Sequence, residues 1–165
     1  MPFNTLMVYC LLDTLSFGEQ GVKVSAKRQK DETILFFRID EGQDSPFCRR
    51  MSYEGKLCDL LAYYHKNNSN GGKIERVLWL IELKRGKRGD ASAQLDATHE
   101  ILNEKFKEMG LDREITLKGY IRSHGSSPHD NSDDKRLKEI FGKGNIKISS
   151  HDDFDAVIRG SSKIK

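Results

Sequence analysis

The feature that most constrains the fold is an apolar run, RVLWLIELK, at residues 76–84. Successive side chains of a strand point to opposite faces of a sheet, and in this run both alternating sets are apolar. A strand of this kind needs a cover on each face, which is typical of a central strand packed between other layers. The sequence therefore predicts that other elements flank this segment on both sides.

The segment that follows this strand has helical rather than strand periodicity. Over residues 91–109 the apolar positions recur about every 3.6 residues. The predicted buried stripe consists of Ala91, Leu95, Thr98, Leu102, Phe106 and Met109. Asp90 is a natural N-cap, and Gly110 is a natural residue just beyond the C-terminal end. Since residues 114–122 again have strand character, the order strand, helix, strand indicates an α/β fold.

The remaining elements are shorter. Strands are expected at 22–28, 33–40, 56–64 and 145–149, short helices at 133–141 and 151–159, and a packing helix or strand at 3–15. A chain of 165 residues suits one domain with a single core. We therefore expect one α/β domain over residues 1–165, with a central mixed β-sheet flanked by helices.

Composition excludes several classes of protein. With 36% hydrophobic and 32% charged residues, the chain has the make-up of a soluble globular protein. No stretch reaches the roughly 20 apolar residues that span a bilayer, and the N-terminal residues lack the basic region of a signal peptide. The lack of such a stretch predicts no membrane partner, and the three cysteines form no CxxC pair, which favours a reducing, cytoplasmic location.

Glu82 and Lys84 are the first candidate functional residues. As positions i and i+2 of a strand, they project from the same face, about 6 to 7 Å apart at the backbone. They would place two opposite charges at the C-terminal end of a buried strand. One interpretation is a shared polar pocket, because a lone buried charge is costly. The alternative is a surface salt bridge, worth at most about 1 kcal/mol.

Asp59 is the second acid of interest, since it interrupts the apolar segment LCDLLAYY. If the strand at 56–64 pairs with the strand at 76–84, Asp59 and Glu82 can converge. Two carboxylates about 4 Å apart repel by roughly 4 kcal/mol at an effective dielectric constant of about 20. Either one is protonated or a divalent cation lies between them. Oxygen ligands would favour Mg²⁺ or Mn²⁺ over zinc.

A basic loop follows the strand. Arg85, Lys87 and Arg88 follow directly after Lys84, with glycines at positions 86 and 89. Together with the N-terminus of the next helix, they could hold the phosphates of a polyanion. The alternative is a solvated charged turn, since the net charge of +3 over the whole chain does not by itself indicate a nucleic-acid partner.

Asp59 and the triplet Glu82-Leu83-Lys84, followed by a helix, resemble the motif of the PD-(D/E)xK nuclease superfamily, the fold of many restriction endonucleases and Holliday-junction resolvases. The resemblance covers about residues 33–122 in the order strand, strand with Asp, strand with ExK, helix, strand. It implies a restriction-endonuclease-like core in which both acids and the backbone carbonyl of Leu83 hold the metal. It also implies that Lys84 orients or activates the attacking water.

Gln94 resembles a glutamine that some branches of the superfamily place near the site, although a position on the helix surface is the alternative. Thr98 stands where those branches have an aromatic residue, and Cys58 stands where the motif name has proline. A further acid usually comes from an N-terminal helix in this superfamily. Asp13 and Glu19 are the two candidates for it here.

The functional expectation is a nuclease that depends on Mg²⁺ or Mn²⁺ and hydrolyses phosphodiester bonds in nucleic acid. DNA is preferred over RNA only because of the resemblance. Cleavage of both strands of a duplex would need two sites, which makes a homodimer plausible. The alternatives are a catalytically inactive nucleic-acid-binding or protein-interaction module on the same fold, and an accessory subunit without affinity for nucleic acid.

Overall fold

The computed structural model describes residues 3–19, 21–40, 45–67, 75–85, 89–124, 131–150 and 153–160, without the side chains at 85, 89, 124, 131 and 132. Within these ranges the helices are α1 (Phe3–Cys10), α2 (Pro46–Met51), α3 (Gly89–Glu108), α4 (Asn131–Phe141) and α5 (Phe154–Val157). The strands are β1 (Ser16–Glu19), β2 (Val22–Ser25), β3 (Glu32–Arg38), β4 (Leu60–Lys66), β5 (Arg76–Arg85), β6 (Thr116–His124) and β7 (Ile146–Ser149).

Five strands form a mixed sheet in the order β3-β4-β5-β6-β7. The first three strands pair antiparallel, whereas β5, β6 and β7 run parallel. Helix α3 makes the crossover between β5 and β6, as parallel neighbours require. The predicted α/β class with a mixed sheet flanked by helices is therefore confirmed.

The central strand β5 is buried on both faces, as its sequence predicts. Leu78 and Leu80 belong to a core cluster with residues of α1, α2, α3 and α4. Trp79 and Ile81 belong to a second cluster on the opposite face, which includes residues of β2 and α5. The hairpin of β1 and β2 thus helps to cover the face opposite the four longer helices.

Helix α3 has the predicted buried stripe, with two corrections at its ends. Leu95, Thr98 and Leu102 are fully buried, but Met109 follows the last helical residue and is 39% exposed. Asp90 is inside the helix rather than at its N-cap, because the helix begins at Gly89. The predicted end is confirmed: Gly110 has a φ of 69°, the left-handed conformation that glycine adopts readily.

Other elements also differ from the sequence prediction. The strand expected at 56–64 begins only at Leu60, and the turn-rich segment before it contains the short helix α2. Strand β1 was not expected, because the serine and glycine in SFGE give little strand signal. Among the described helices, none is both long and apolar enough to cross a membrane.

Candidate functional site

Asp59 and Glu82 lie opposite each other at one end of the sheet. Leu60, the first residue of β4, pairs with Ile81 of β5 in an antiparallel ladder, so extending this register by one position places Asp59, just before β4, opposite Glu82. Opposite residues of an antiparallel pair project from the same face. This face is the one covered by α3, because Leu61 and Leu80 on it belong to the cluster that contains Leu95.

Asp59 is held by the backbone of the neighbouring strand. The backbone N–H of Leu83 donates to Asp59 Oδ2 over 2.7 Å. On its other side, Ile39 donates its backbone N–H to the carbonyl oxygen of Asp59 over 3.3 Å. These contacts fix the aspartate between β3 and β5, where it is 8% exposed.

Lys84 joins Glu82 to the crossover helix. Its Nζ lies 2.8 Å from Glu82 Oε1 and also donates to Gln94 Oε1 over 2.8 Å. The Glu82 side chain is 1% exposed, and that of Lys84 is 22% exposed. The pair is therefore not the exposed surface salt bridge considered as an alternative, since the carboxylate is buried and the lysine is held by a helix as well.

Gln94 lies in the interior and not on the helix surface. It is 6% exposed, and its Nε2 donates to the carbonyl oxygen of Leu57 over 3.2 Å. The side-chain amide thus contacts Lys84 with its oxygen and the chain before β4 with its nitrogen. The helical period places Gln94 only at the edge of the apolar stripe, so the sequence did not reveal either partner.

Both carboxyl groups of the site are harder to ionise than usual. Burial, followed by the charge of Asp59, raises the pKa of Glu82 from 4.5 to about 8, although Lys84 acts in the opposite direction. Burial likewise raises the pKa of Asp59 from 3.8 to about 6, against the effect of the hydrogen bond from the Leu83 backbone. Two acids that resist ionisation next to each other would gain from a cation.

One oxygen of Glu82 stands out in this arrangement. Oε2 is buried and has no hydrogen-bond partner within the part of the chain that the structure describes. Buried carboxylate oxygens are normally satisfied, since an unpaired one carries its full desolvation cost. Glu82 Oε2 is therefore the atom of this site at which a cation could supply the missing partner.

Two further acids lie near enough to act on Asp59. The charges of Glu19, at the end of β1, and Asp40, which follows β3, both raise the pKa of Asp59. Of the two candidates for an additional acid, Glu19 is the one whose charge is among the main causes of the raised pKa of Asp59, and it comes from a hairpin strand and not from an N-terminal helix. Asp40 was missed, and its only signal is its position directly after an apolar strand.

The acids nevertheless do not form a complete set of metal ligands. Among the described residues, no three side chains of His, Cys, Asp or Glu are grouped so that they could hold a metal ion. Mg²⁺ commonly uses one or two carboxylates and keeps several waters. The pair of Asp59 and Glu82, with its unsatisfied Oε2, fits that mode of binding.

Most of the basic loop lies outside the described residues. Arg85 is the last residue of β5, one position after Lys84, but its side chain is outside the described part of the structure. Lys87 and Arg88 lie outside the described residues altogether. Their role as nucleic-acid contacts stays a prediction.

Comparison with known proteins adds no family to these observations. No protein-family model matches the chain, and a search of curated proteins gave no significant match. The functional interpretation therefore depends on the geometry of the site.

Proposed function

We propose that this protein is a metal-dependent phosphodiesterase that hydrolyses nucleic acid, with DNA as its substrate. The observation that carries the proposal is the juxtaposition of Asp59, just before β4, and Glu82 of β5, with a buried, unsatisfied carboxyl oxygen next to Lys84. An acid pair with an adjacent ammonium group is an arrangement suited to transfer at a phosphate, where negative charge must be neutralised.

The order of elements supports a restriction-endonuclease-like core. Helix α1 precedes the antiparallel strands β3, β4 and β5, and α3 then leads to the parallel strand β6. This is the order of strands and crossover helix that the resemblance to the PD-(D/E)xK superfamily implies. The proposed core adds β7 at one edge and the hairpin of β1 and β2 on one face.

Each site residue has a role in the proposal. Asp59 and Glu82 would hold Mg²⁺ or Mn²⁺, with the backbone carbonyl of Leu83 as a further ligand. Such an ion, when bound, lowers the pKa of a coordinated water and neutralises charge at the scissile phosphate. Lys84 orients the attacking water or stabilises charge at phosphorus, and Gln94 holds the Lys84 ammonium group in place.

The substrate would be bound through its backbone. Arg85, Lys87 and Arg88 follow Lys84 in the sequence, so the cationic loop begins where the acid pair ends. Contacts from Lys and Arg to phosphates hold a nucleic acid without selecting its sequence. A homodimer would supply the two sites that cleavage of both strands requires.

The test is cleavage of plasmid and single-stranded DNA by the purified protein in Mg²⁺ or Mn²⁺, with EDTA as the blank. We expect Glu82→Gln and Lys84→Ala to lower the rate at least about 100-fold. Lys105→Ala and Glu108→Gln are matched controls, because these residues form an exposed ion pair with 2.5 Å between Nζ and Oε2. Equal rates in wild type and both site variants would show that the cleavage does not come from this site.

The main alternative is a catalytically inactive module of the same fold that binds nucleic acid or a protein. One observation favours it: Lys84 is already paired with Glu82, so half of the acid pair is neutralised within the chain. An inert wild type that still binds DNA would support this alternative. A steep loss of binding with rising salt would then separate phosphate contacts from an accessory subunit without affinity for nucleic acid.

A further inference from the structure

Thr98 is a polar residue in the middle of the buried stripe of α3. It is fully buried and one helical turn beyond Gln94. Its Oγ1 donates to the carbonyl oxygen of Gln94 over 2.7 Å and accepts the backbone N–H of Cys58 over 2.9 Å. The hydroxyl therefore connects the helix to the residue immediately before Asp59.

A second hydrogen bond ties the same short segment to α3. Gln94 Nε2 donates to the carbonyl of Leu57, and Thr98 accepts from the N–H of Cys58. Leu57 and Cys58 precede β4, so they lack the ladder of backbone hydrogen bonds that fixes a strand. Two consecutive residues next to Asp59 are thus positioned by side chains of the helix.

The same helix also holds the other half of the site. Gln94 accepts from Lys84 Nζ, and Lys84 is paired with Glu82. Since Thr98 donates to the Gln94 backbone, a single turn of α3 positions both the segment before Asp59 and the side chain of Lys84. A threonine that bonds back to the carbonyl four residues earlier slightly weakens a helix, so its helical context does not account for its presence there.

We propose that Thr98 is a positioning residue: through the N–H of Cys58, its hydroxyl keeps Asp59 opposite Glu82. This role rests on the proposed function of the acid pair. The positioning of Asp59 can be tested separately from activity. The hydrogen bond from the Leu83 N–H to Asp59 Oδ2 depends on where the carboxyl group lies, whether or not the protein is a nuclease.

The experiment compares Thr98→Val, which keeps the shape but loses the hydroxyl, with Thr98→Ser, which keeps the hydroxyl. Leu102→Val is the control, since Leu102 is fully buried one turn further along the same helix and has an apolar side chain. We expect Thr98→Val to lower kcat about 10-fold or more with little change in KM, because a small displacement of a catalytic group is costly. Thr98→Ser should stay within about threefold of wild type.

A second measurement does not depend on activity. In ¹H–¹⁵N spectra, the amide resonance of Leu83 should shift in Thr98→Val, and its hydrogen exchange should become faster relative to other amides of β5. Thr98→Ser and Leu102→Val should leave both unchanged. Thr98→Ala replaces Thr98→Val if the valine variant does not fold.

The outcomes separate the two proposals. If wild type is inert but the Leu83 amide responds only to loss of the hydroxyl, the positioning role holds and the nuclease proposal fails. If the Leu83 amide is the same in wild type and Thr98→Val, and kcat falls no more than in Leu102→Val, Thr98 only satisfies a buried N–H group and the inference is overturned.

Discussion

Glu82 couples the stability of the fold to pH. Because its pKa is raised to about 8 in the folded protein, from 4.5, the folded state binds this proton more tightly than the unfolded chain does. The free energy of unfolding should therefore fall as pH rises between these two values. We expect Glu82→Gln to remove this dependence and to be more stable than wild type at pH 8, by on the order of 1 to 3 kcal/mol.

Urea denaturation at pH 4.5, 6 and 8 in EDTA measures this difference. Wild type and Glu82→Gln should have similar free energies of unfolding at pH 4.5, where the side chain at position 82 is uncharged in both folded proteins. These free energies should diverge as pH rises. The exposed Glu108→Gln is the control and should follow wild type throughout. Parallel profiles for wild type and Glu82→Gln would show that Glu82 ionises normally in the fold.

At this scale, the sequence was sufficient to select residues but not to find their partners. Strand alternation places Glu82 and Lys84 on one face, and the pairing of two apolar strands brings Asp59 towards them. Helical periodicity also turns Thr98 inward. The contacts of Gln94 and Thr98 with residues 57 and 58 were not predictable, because they depend on which non-strand segment lies against the helix.

At the scale of elements, β6, β7 and α4 pack closely against one another around Gly119. A Cβ atom added at Gly119 of β6 would clash with the Cδ1 of Ile146 and would lie 3.2 Å from Cζ of Phe141. We expect Gly119→Ala to lower the free energy of unfolding by about 1 to 3 kcal/mol, the usual cost of overpacking.

Ile146→Val offers a direct check, because it removes the Cδ1 atom that the new methyl group would meet. In a double-mutant cycle, Gly119→Ala should cost less in the Ile146→Val background than in wild type. Thermal or urea denaturation of the four proteins measures the coupling. Purely additive free energies would mean that strand conformation, and not the contact with Ile146, limits this position.

The elements with a strong period were predicted, and those held by tertiary packing were not. Strand β5 and helix α3 have long apolar patterns that local sequence defines. Leu57 and Cys58 extend the apolar pattern of β4, but they are buried against α3 without joining the strand. A buried segment outside a strand has the same apolar sequence pattern as a paired strand. The sequence therefore predicts a start of β4 that is too early.

For the molecule as a whole, cation binding should be linked to folding. An ion that binds only the folded state raises its stability with concentration. The proposed ligands must lose protons to bind it, and the pKa of Glu82 is about 8. Stabilisation by Mn²⁺ should therefore be larger at pH 8 than at pH 5.5, since at the lower pH the cation competes with a proton on Glu82.

Thermal unfolding with and without Mn²⁺ tests this linkage over the full chain. At pH 8, Mn²⁺ at about 100 times its Kd should raise Tm by about 5 to 10 °C in a protein of this size. Glu82→Gln should lose this shift, whereas Glu108→Gln should keep it, because Glu108 pairs with Lys105 on the surface. A shift of the same size in both variants would mean that the ion binds elsewhere. The buried acid pair would then lower the stability of the fold without binding the cation that the nuclease proposal assigns to it.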